Sequence, residues 1–294
     1  MDKETLNSYT QAGKIASSAL KLGESLIKKQ APITKILDEV EQHILSKGAF
    51  PAFPAQISLN NVAAHQCSTD PDELIPEGII KLDVGAHVNG FIGDNALSVA
   101  IDADDSIIKA SRKALNNALK IAKPGVFVRD IGKEIQTTIE DLGFKPVKNL
   151  SGHGLGNYQI HKSPSIPNYH SLNTEKLNEG DVIAIEPFAS TSTGIVSSAG
   201  NATVFNLTSL KPVRSNFTRE VLKKIKSYKG LPFTSRWLIK EFGEGKTNFA
   251  LRELKNNNMI LEHPPLADDD GFVSQSEHTI IIKDKPIITT KCQE

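Results

Sequence analysis

Residues 31–51 and 126–146 align without a gap at an offset of 95, and this repeat constrains the fold more than any other feature of the chain. Ile33 meets Val128, Ile36 meets Ile131, Val40 meets Ile135 and Ile44 meets Ile139. Apolar residues at steps of three and four predict one buried face of a helix. Gly48 and Gly143 then stop the two helices at equivalent points, and Pro51 meets Pro146. An earlier helix is expected before each copy, over about 4–29 and about 104–122. Strands are expected at about 55–64, 79–88 and 91–101, then at about 148–162 and 181–190, with 195–206 and 273–284 closing the sheet. Each half reads helix, helix, strands, so the expectation is an α/β (α+β) domain of two pseudo-symmetric halves.

The strand-rich part of the first half carries the first chemical signal. Asn89-Gly90 lies between two apolar alternating runs and predicts a two-residue hairpin turn. In that register Val88 faces Phe91, Gly85 faces Asp94 and Asp83 faces Ala96. Asp83 and Asp94 become diagonal neighbours on one face, roughly 7–8 Å apart at the backbone. The other face collects Ile80, Leu82, Val84, Val88, Phe91, Leu97, Val99 and Ile101. Two acids held together on a sheet repel unless a cation lies between them, so a metal site is the first expectation.

Composition narrows the alternatives. Among 294 residues, 34 are Lys or Arg and 34 are Asp or Glu, so the molecule as a whole is not drawn to nucleic acid or an anionic membrane. Two cysteines, Cys67 and Cys292, form no Cys-x-x-Cys pair, which excludes a zinc ribbon and a redox motif. A disulfide between them is not expected, since the rest of the chain reads as intracellular. The charged start Met1-Asp2-Lys3-Glu4 is followed by no apolar core and argues against a signal peptide. No run of about 18 apolar residues offers a membrane span.

The stretch 207–264 differs from its surroundings. Segments around 221–225, 236–242 and 249–254 read as amphipathic helices. Residues 205–262 hold 12 Lys or Arg against 5 Glu and no Asp, a net of +7. This reads as a helical insert (207–264) with a basic surface, set between strands of a main domain made of 1–206 and 265–294. The charge suits docking near ribosomal RNA, and equally an ordinary solvated helical face.

Further donors follow the hairpin: His153 among glycines in Ser151–Gly156, Glu186 near the end of the apolar run Asp181–Pro187, and Glu277 at the start of a β-prone run. With Asp83 and Asp94 they make two Asp, one His and two Glu. Their charge of −4 would offset two divalent ions, and a mostly oxygen donor set favours Mn, Co, Fe or Zn.

These pieces resemble the methionine aminopeptidases of the type II (archaeal and eukaryotic) subgroup. The resemblance rests on Asp83–Asp94, Gly152–His161, Ala184–Phe188 and Ser276–Ile280, in order along nearly the whole chain. It implies a pita-bread fold around a dinuclear metal centre. It implies an enzyme that removes the N-terminal methionine of nascent polypeptides when the second residue is small. Asp83, Asp94, His153, Glu186 and Glu277 match the five metal ligands, with Asp94 and Glu277 bridging. Glu186 also matches the carboxylate that handles the proton of the attacking water. His65 and His161 match two substrate-side histidines, and His65 the position alkylated by fumagillin-like epoxides. Phe50, Ile160 and Phe188 are expected walls of the methionine pocket. A cytoplasmic monomer in transient contact with the ribosome is the corresponding expectation.

Some positions depart from the family pattern. Ser98 stands where a threonine is usual and keeps the hydroxyl, so its support of the ligands is expected to survive. His263 stands where an aromatic is expected near the pocket mouth, which bears on substrate breadth more than on activity. Strand alternation is expected to turn His87 and His278 away from the ligands, and His170 has no assigned role. Prolidase-like peptidases share the fold but carry a large N-terminal domain, for which the early first repeat leaves no room. Non-enzymatic RNA- or protein-binding homologues share it too, but have lost metal ligands that are all present here.

Overall fold

The computed structural model describes residues 1–291. The first half opens with α1 (Lys3–Leu26) and α2 (Ile33–Ser46), followed by β1 (Phe50–Pro51), β2 (Gln56–Leu59), β3 (Val62–Ala64), β4 (Gly78–Val88) and β5 (Phe91–Ile101). The second half repeats the order with α3 (Ser106–Ile121), α4 (Val128–Asp141), β6 (Lys145–Pro146), β7 (Ser151–Gly156), β8 (Gln159–Pro167), β9 (Val182–Ile185), β10 (Phe188–Ser190) and β11 (Ser197–Ser198). Next come β12 (Val204–Leu207), α5 (Asn216–Ser227), β13 (Phe233–Thr234), α6 (Ser235–Phe242), α7 (Glu244–Asn256) and β14 (Ile260–His263). The chain returns through β15 (Leu266–Ala267), β16 (Val273–Gln275), β17 (His278–Ile281) and β18 (Ile287–Ile288).

The offset of 95 holds at the level of single hydrogen bonds. Helices α2 and α4 have 14 residues each, and the strands β1 and β6 follow at equivalent points. Ala49 N–H donates to the Ile44 carbonyl at 3.3 Å, and Phe144 N–H to the Ile139 carbonyl at 3.2 Å. Gly48 (φ 75°) and Gly143 (φ 84°) take the left-handed conformation that lets the chain leave each helix. The paired apolar residues are buried in two separate cores, one under each half.

The hairpin has the expected register from Gly78 opposite Ile101 to Val88 opposite Phe91. It belongs to a four-stranded sheet in which β4 also pairs with β1 and β2. The second half builds the five-stranded sheet β18-β17-β9-β7-β8.

Several expected long strands are interrupted. The stretch 148–162 holds β7, a turn at Asn157-Tyr158 and the start of β8, so it folds back as a second hairpin; Tyr158 has φ 54°. The run 181–190 breaks at Glu186-Pro187, and 273–284 breaks at Ser276-Glu277. Residues 204–263 make a sheet of their own, ordered β13-β12-β14, and a core of their own around Phe205, Phe233 and Leu238. Strand β12, assigned from the sequence to the main domain, is the central strand of that sheet.

Cys67 is buried, and Cys292, its candidate partner, lies outside the described residues. Among the described residues no helix is long and apolar enough to cross a membrane.

Candidate metal centre

Asp83 and Asp94 share one face of the β4–β5 hairpin because Gly85 is paired with Asp94, and Asp83 with Ala96. Glu186 and Glu277 are brought together in a different way. Strands β9 and β17 pair Ile185 with His278, and β10 and β16 pair Phe188 with Gln275. Both pairings have the same register, so Glu186 falls opposite Glu277 where the two strands are interrupted. Pro187 has no N–H to give a ladder, which is why the pairing opens there. The Ser276 N–H still reaches the Pro187 carbonyl, at 3.2 Å.

His153, on β7, completes the group. Its Nε2 lies 3.5 Å from Glu186 Oε1 and 3.9 Å from Asp94 Oδ2. Asp94, His153 and Glu277 each offer a donor atom within 4.8 Å of the others. All five residues line one cavity of about 690 Å³.

The electrostatics of this group call for cations. Burial pushes the Asp83 carboxyl up to about 7. Burial and then repulsion from Asp83 push Asp94 far above the usual range, and Glu186 and Glu277 follow for the same two reasons. Burial holds His153 down at about 3, so its imidazole is neutral, as a metal ligand must be. Asp83 Oδ1 and Asp94 Oδ1 are buried without a hydrogen-bond partner. A buried acceptor left unpaired costs roughly 1–3 kcal/mol. Orphaned oxygens, neutral imidazole and crowded carboxylates together fit divalent ions.

Of the shell behind these residues, the support from the Ser98 hydroxyl was expected from the sequence, and that from Thr279 and Gln275 was not. The Asp94 N–H donates to Thr279 Oγ1, whose hydroxyl donates back to the Asp94 carbonyl, both at 2.8 Å. Ser98 Oγ accepts from the Gln275 N–H and donates to the Gln275 carbonyl, again at 2.8 Å each. Gln275 Nε2 reaches Glu277 Oε2 at 3.4 Å. The hydroxyl kept at Ser98 thus fixes the strand that delivers Glu277.

Of the substrate-side residues, His65, Ile160, His161 and Phe188 line the cavity. The His161 ring meets the His153 ring edge-on at 4.6 Å, and His65 meets His263 at 5.6 Å. Burial, then the neighbouring histidines, lower His65 to about 4. His263 also lines the cavity, its Nε2 held 2.7 Å from Asn206 Oδ1.

Phe50 does not line it. Its side chain is 59% exposed and stacks on His87 at 5.7 Å. Strand β1 pairs Phe50 with His87 toward the hairpin tip, and the turn that follows brings Phe53 over Gly85 instead. A Cβ at Gly85 would lie 2.2 Å from the Phe53 ring, so the absence of a side chain there admits this wall. Val204, Asn206 and Pro232 add a further wall that sequence reading missed, because it comes from 204–263.

His87 also differs from expectation. It is an even step from Asp83 and shares the acid face, but it stands near the tip, where its Nδ1 accepts the Gly90 N–H at 3.2 Å. His278 does point away, to Thr290 Oγ1 at 3.0 Å. His170 is exposed on a loop whose backbone N–H reaches Gln136.

A duplicated α/β fold whose seam buries four carboxylates and an imidazole beside an apolar-walled cavity defines a metal-dependent hydrolase of pita-bread architecture. The chain belongs to metallopeptidase family M24, whose model matches residues 7–284. It is 40% identical over 296 residues to the methionine aminopeptidase of Archaeoglobus fulgidus, covering 99% of this chain and 100% of the relative. Among solved structures, a thermophilic Arx1 superposes with TM-score 0.88 at 14% identity, over 100% of this chain and 92% of that one. The methionine aminopeptidase of Thermotoga maritima superposes with TM-score 0.71 at 22% identity, over 99% and 98%. Both likenesses speak to the fold alone.

Proposed function

We propose that this chain is a methionine aminopeptidase that removes the first residue of nascent polypeptides when the second is small. The observation that carries this reading is the cluster Asp83, Asp94, His153, Glu186 and Glu277 opening into a cavity walled by Phe53, Ile160, Phe188 and Pro232. The five residues would hold two divalent ions, drawn from Co, Mn, Fe and Zn. When bound, these ions supply a polarised water and Lewis acidity toward the scissile carbonyl.

The chain's own residues do the rest. Glu186 takes a proton from the attacking water and returns it to the leaving amine. His161 and His65 stand on the substrate side, where an imidazole N–H donates to the carbonyl oxygen as it gains charge. A linear thioether fits between the apolar walls. The next side chain then lies against the carboxylates, which leaves room for Gly, Ala, Ser, Thr, Cys, Pro or Val. The family's M24 assignment and the 40% identity to a methionine aminopeptidase support the same substrate class.

The enzyme works in the cytoplasm as a monomer. The face of α5 bearing Lys223 and Lys226, both exposed, docks on ribosomal RNA; Lys224 is already paired with Glu241 at 2.7 Å. Charge reversal at Lys223 and Lys226 is expected to weaken ribosome binding and flatten its salt dependence.

The deciding experiment is hydrolysis of Met-Ala-Ser by a chelated sample to which single metals are added back. Metal-dependent release of methionine, with Met-Lys-Ser left intact, is expected. No turnover with any metal would favour a binding protein on this fold, and preference for Xaa-Pro peptides a prolidase-like enzyme.

A further inference from the structure

The cavity has walls from two bodies. Phe53 and Gln56 come from the first half, and Val204, Asn206 and Pro232 from the stretch that carries its own core. Val204 packs into the core of the first half, and Leu231 into the cluster that holds Phe53. One buried carboxylate also bonds to both. Glu41 on α2, 7% exposed, accepts three hydrogen bonds with its carboxylate. Oε1 receives the Ala55 N–H at 3.1 Å and Arg236 Nη2 at 2.6 Å, and Oε2 receives Trp237 Nε1 at 2.8 Å. Ala55 precedes Gln56, which is paired in register with Asp83. Arg236 and Trp237 begin α6, four and five residues after Pro232. Arg236 itself is 5% exposed and also pairs with Asp38, one turn before Glu41 on α2.

The internal repeat supplies a control. The positions 95 residues on from Asp38 and Glu41 are Lys133 and Gln136 on α4. Lys133 is exposed, and Gln136 binds the His170 N–H and Glu140 on the surface. Two acids therefore occupy this helix face only in the half against which 204–263 rests. A carboxylate with three donors in one buried place is also the costly kind of group that a merely adhesive contact does not need, since apolar packing would hold two bodies together as well.

We infer that Glu41 is a positioning residue for substrate selectivity: with Arg236 and Trp237 it forms a latch that sets the gap between the two walls of the substrate cavity. This rests on the reading of that cavity as the pocket for the first side chain. The latch touches no reacting atom, so its loss acts on binding of that side chain and not on the chemical step.

Glu41→Gln keeps the volume but turns an amide NH₂ toward donors. Glu41→Gln with Arg236→Met also removes the buried cation that the single variant leaves with Asp38 as its one carboxylate partner, and it carries the test where the single variant does not fold. Circular dichroism and a thermal melt establish folding. In the metal-loaded enzyme the KM for Met-Ala-Ser is expected to rise about tenfold with kcat within about twofold, the pattern of lost ground-state binding. Discrimination between Met-Ala-Ser and Leu-Ala-Ser should fall by about tenfold, the scale on which a pocket wall tells apart side chains of similar size. Amide hydrogen exchange should quicken in 53–57 and 230–235. Trp237, the single tryptophan of the chain, should shift its emission. A folded variant with wild-type KM, selectivity and exchange overturns the inference, as does a fall in kcat at unchanged KM. If the wild type itself leaves Met-Ala-Ser intact, the substrate reading fails instead, and hydrogen exchange in the two wall segments then decides the latch.

Discussion

Thr279 and Asp94 exchange two hydrogen bonds, side-chain hydroxyl to main-chain amide and carbonyl, across 185 residues of sequence. The hydroxyl holds the backbone of one acid from the strand that begins beside another, Glu277. Thr279→Val keeps the shape and removes both bonds. Loss of a partner that orients ligands typically weakens metal affinity by roughly 10–100-fold. We expect that loss in a metal titration, with the fold retained by circular dichroism. Unchanged affinity would show that the strand pairing alone positions Asp94.

Glu186→Gln is expected to lower kcat by roughly 10²–10⁴, the usual worth of a proton-transfer group. The substitution is nearly isosteric, and the side chain is only 13% exposed, so folding should survive. The assay is run at saturating metal, which separates lost proton transfer from lost occupancy. Wild-type kcat under those conditions would take Glu186 out of the mechanism.

The carboxylate group gives the metal-free protein a particular response to pH. Asp83 is raised to about 7 in the folded state, and Asp94, Glu186 and Glu277 are raised too. In the unfolded chain such groups titrate near 4. Between roughly pH 4 and 7 these four groups therefore hold more protons in the folded metal-free protein than in the unfolded chain, and their contribution to stability falls as pH rises, opposing that of buried histidines such as His65 and His153. Metal ions need the deprotonated groups, so loading should reverse the trend. Thermal melts from pH 5 to pH 8, chelated and loaded, should show a widening gap. A gap that narrows would contradict the assignment of these residues as ligands.

His65 should be alkylated by a fumagillin-like epoxide. Its imidazole is neutral at physiological pH, its Nδ1 is buried without a partner, and it faces the cavity. Mass spectrometry should find the adduct on a peptide spanning 60–70, and His65→Asn should abolish it. An adduct on His161 or His263 would mean that another ring presents the nucleophile.

The sequence was most informative where the physics is local. Asn89-Gly90 and strict alternation determine the hairpin register, so the pairing of Asp94 with Gly85 could be read in advance. The repeat was legible because Ile and Val at helical spacing recur with the same glycine stops. Phe50 was misassigned because the two-residue strand at 50–51 and the irregular turn after it decide which phenylalanine reaches the cavity, and alternation has no purchase on so short an element. Gln275 and Thr279 were invisible as supports, and the partner of the Ser98 hydroxyl could not be named, since these bonds join strands more than 170 residues apart. The insert's walls were hidden for the same reason: Val204 and Pro232 look like ordinary core residues until 204–263 is laid against the first half.

The opposition of Glu186 and Glu277 has a consequence for the order in which the molecule can come into being. Two of the five donors lie in the first half, two more on the strands of the second, and the last follows only after 204–263 has been made. Because chains emerge from their N-terminal end, β9 must wait with Glu186 unmatched until β17 arrives to pair with it. Until then the nascent enzyme holds an incomplete donor set. Competence to cleave other nascent chains is acquired only after Glu277 has been made, in the same event that zips the second sheet together.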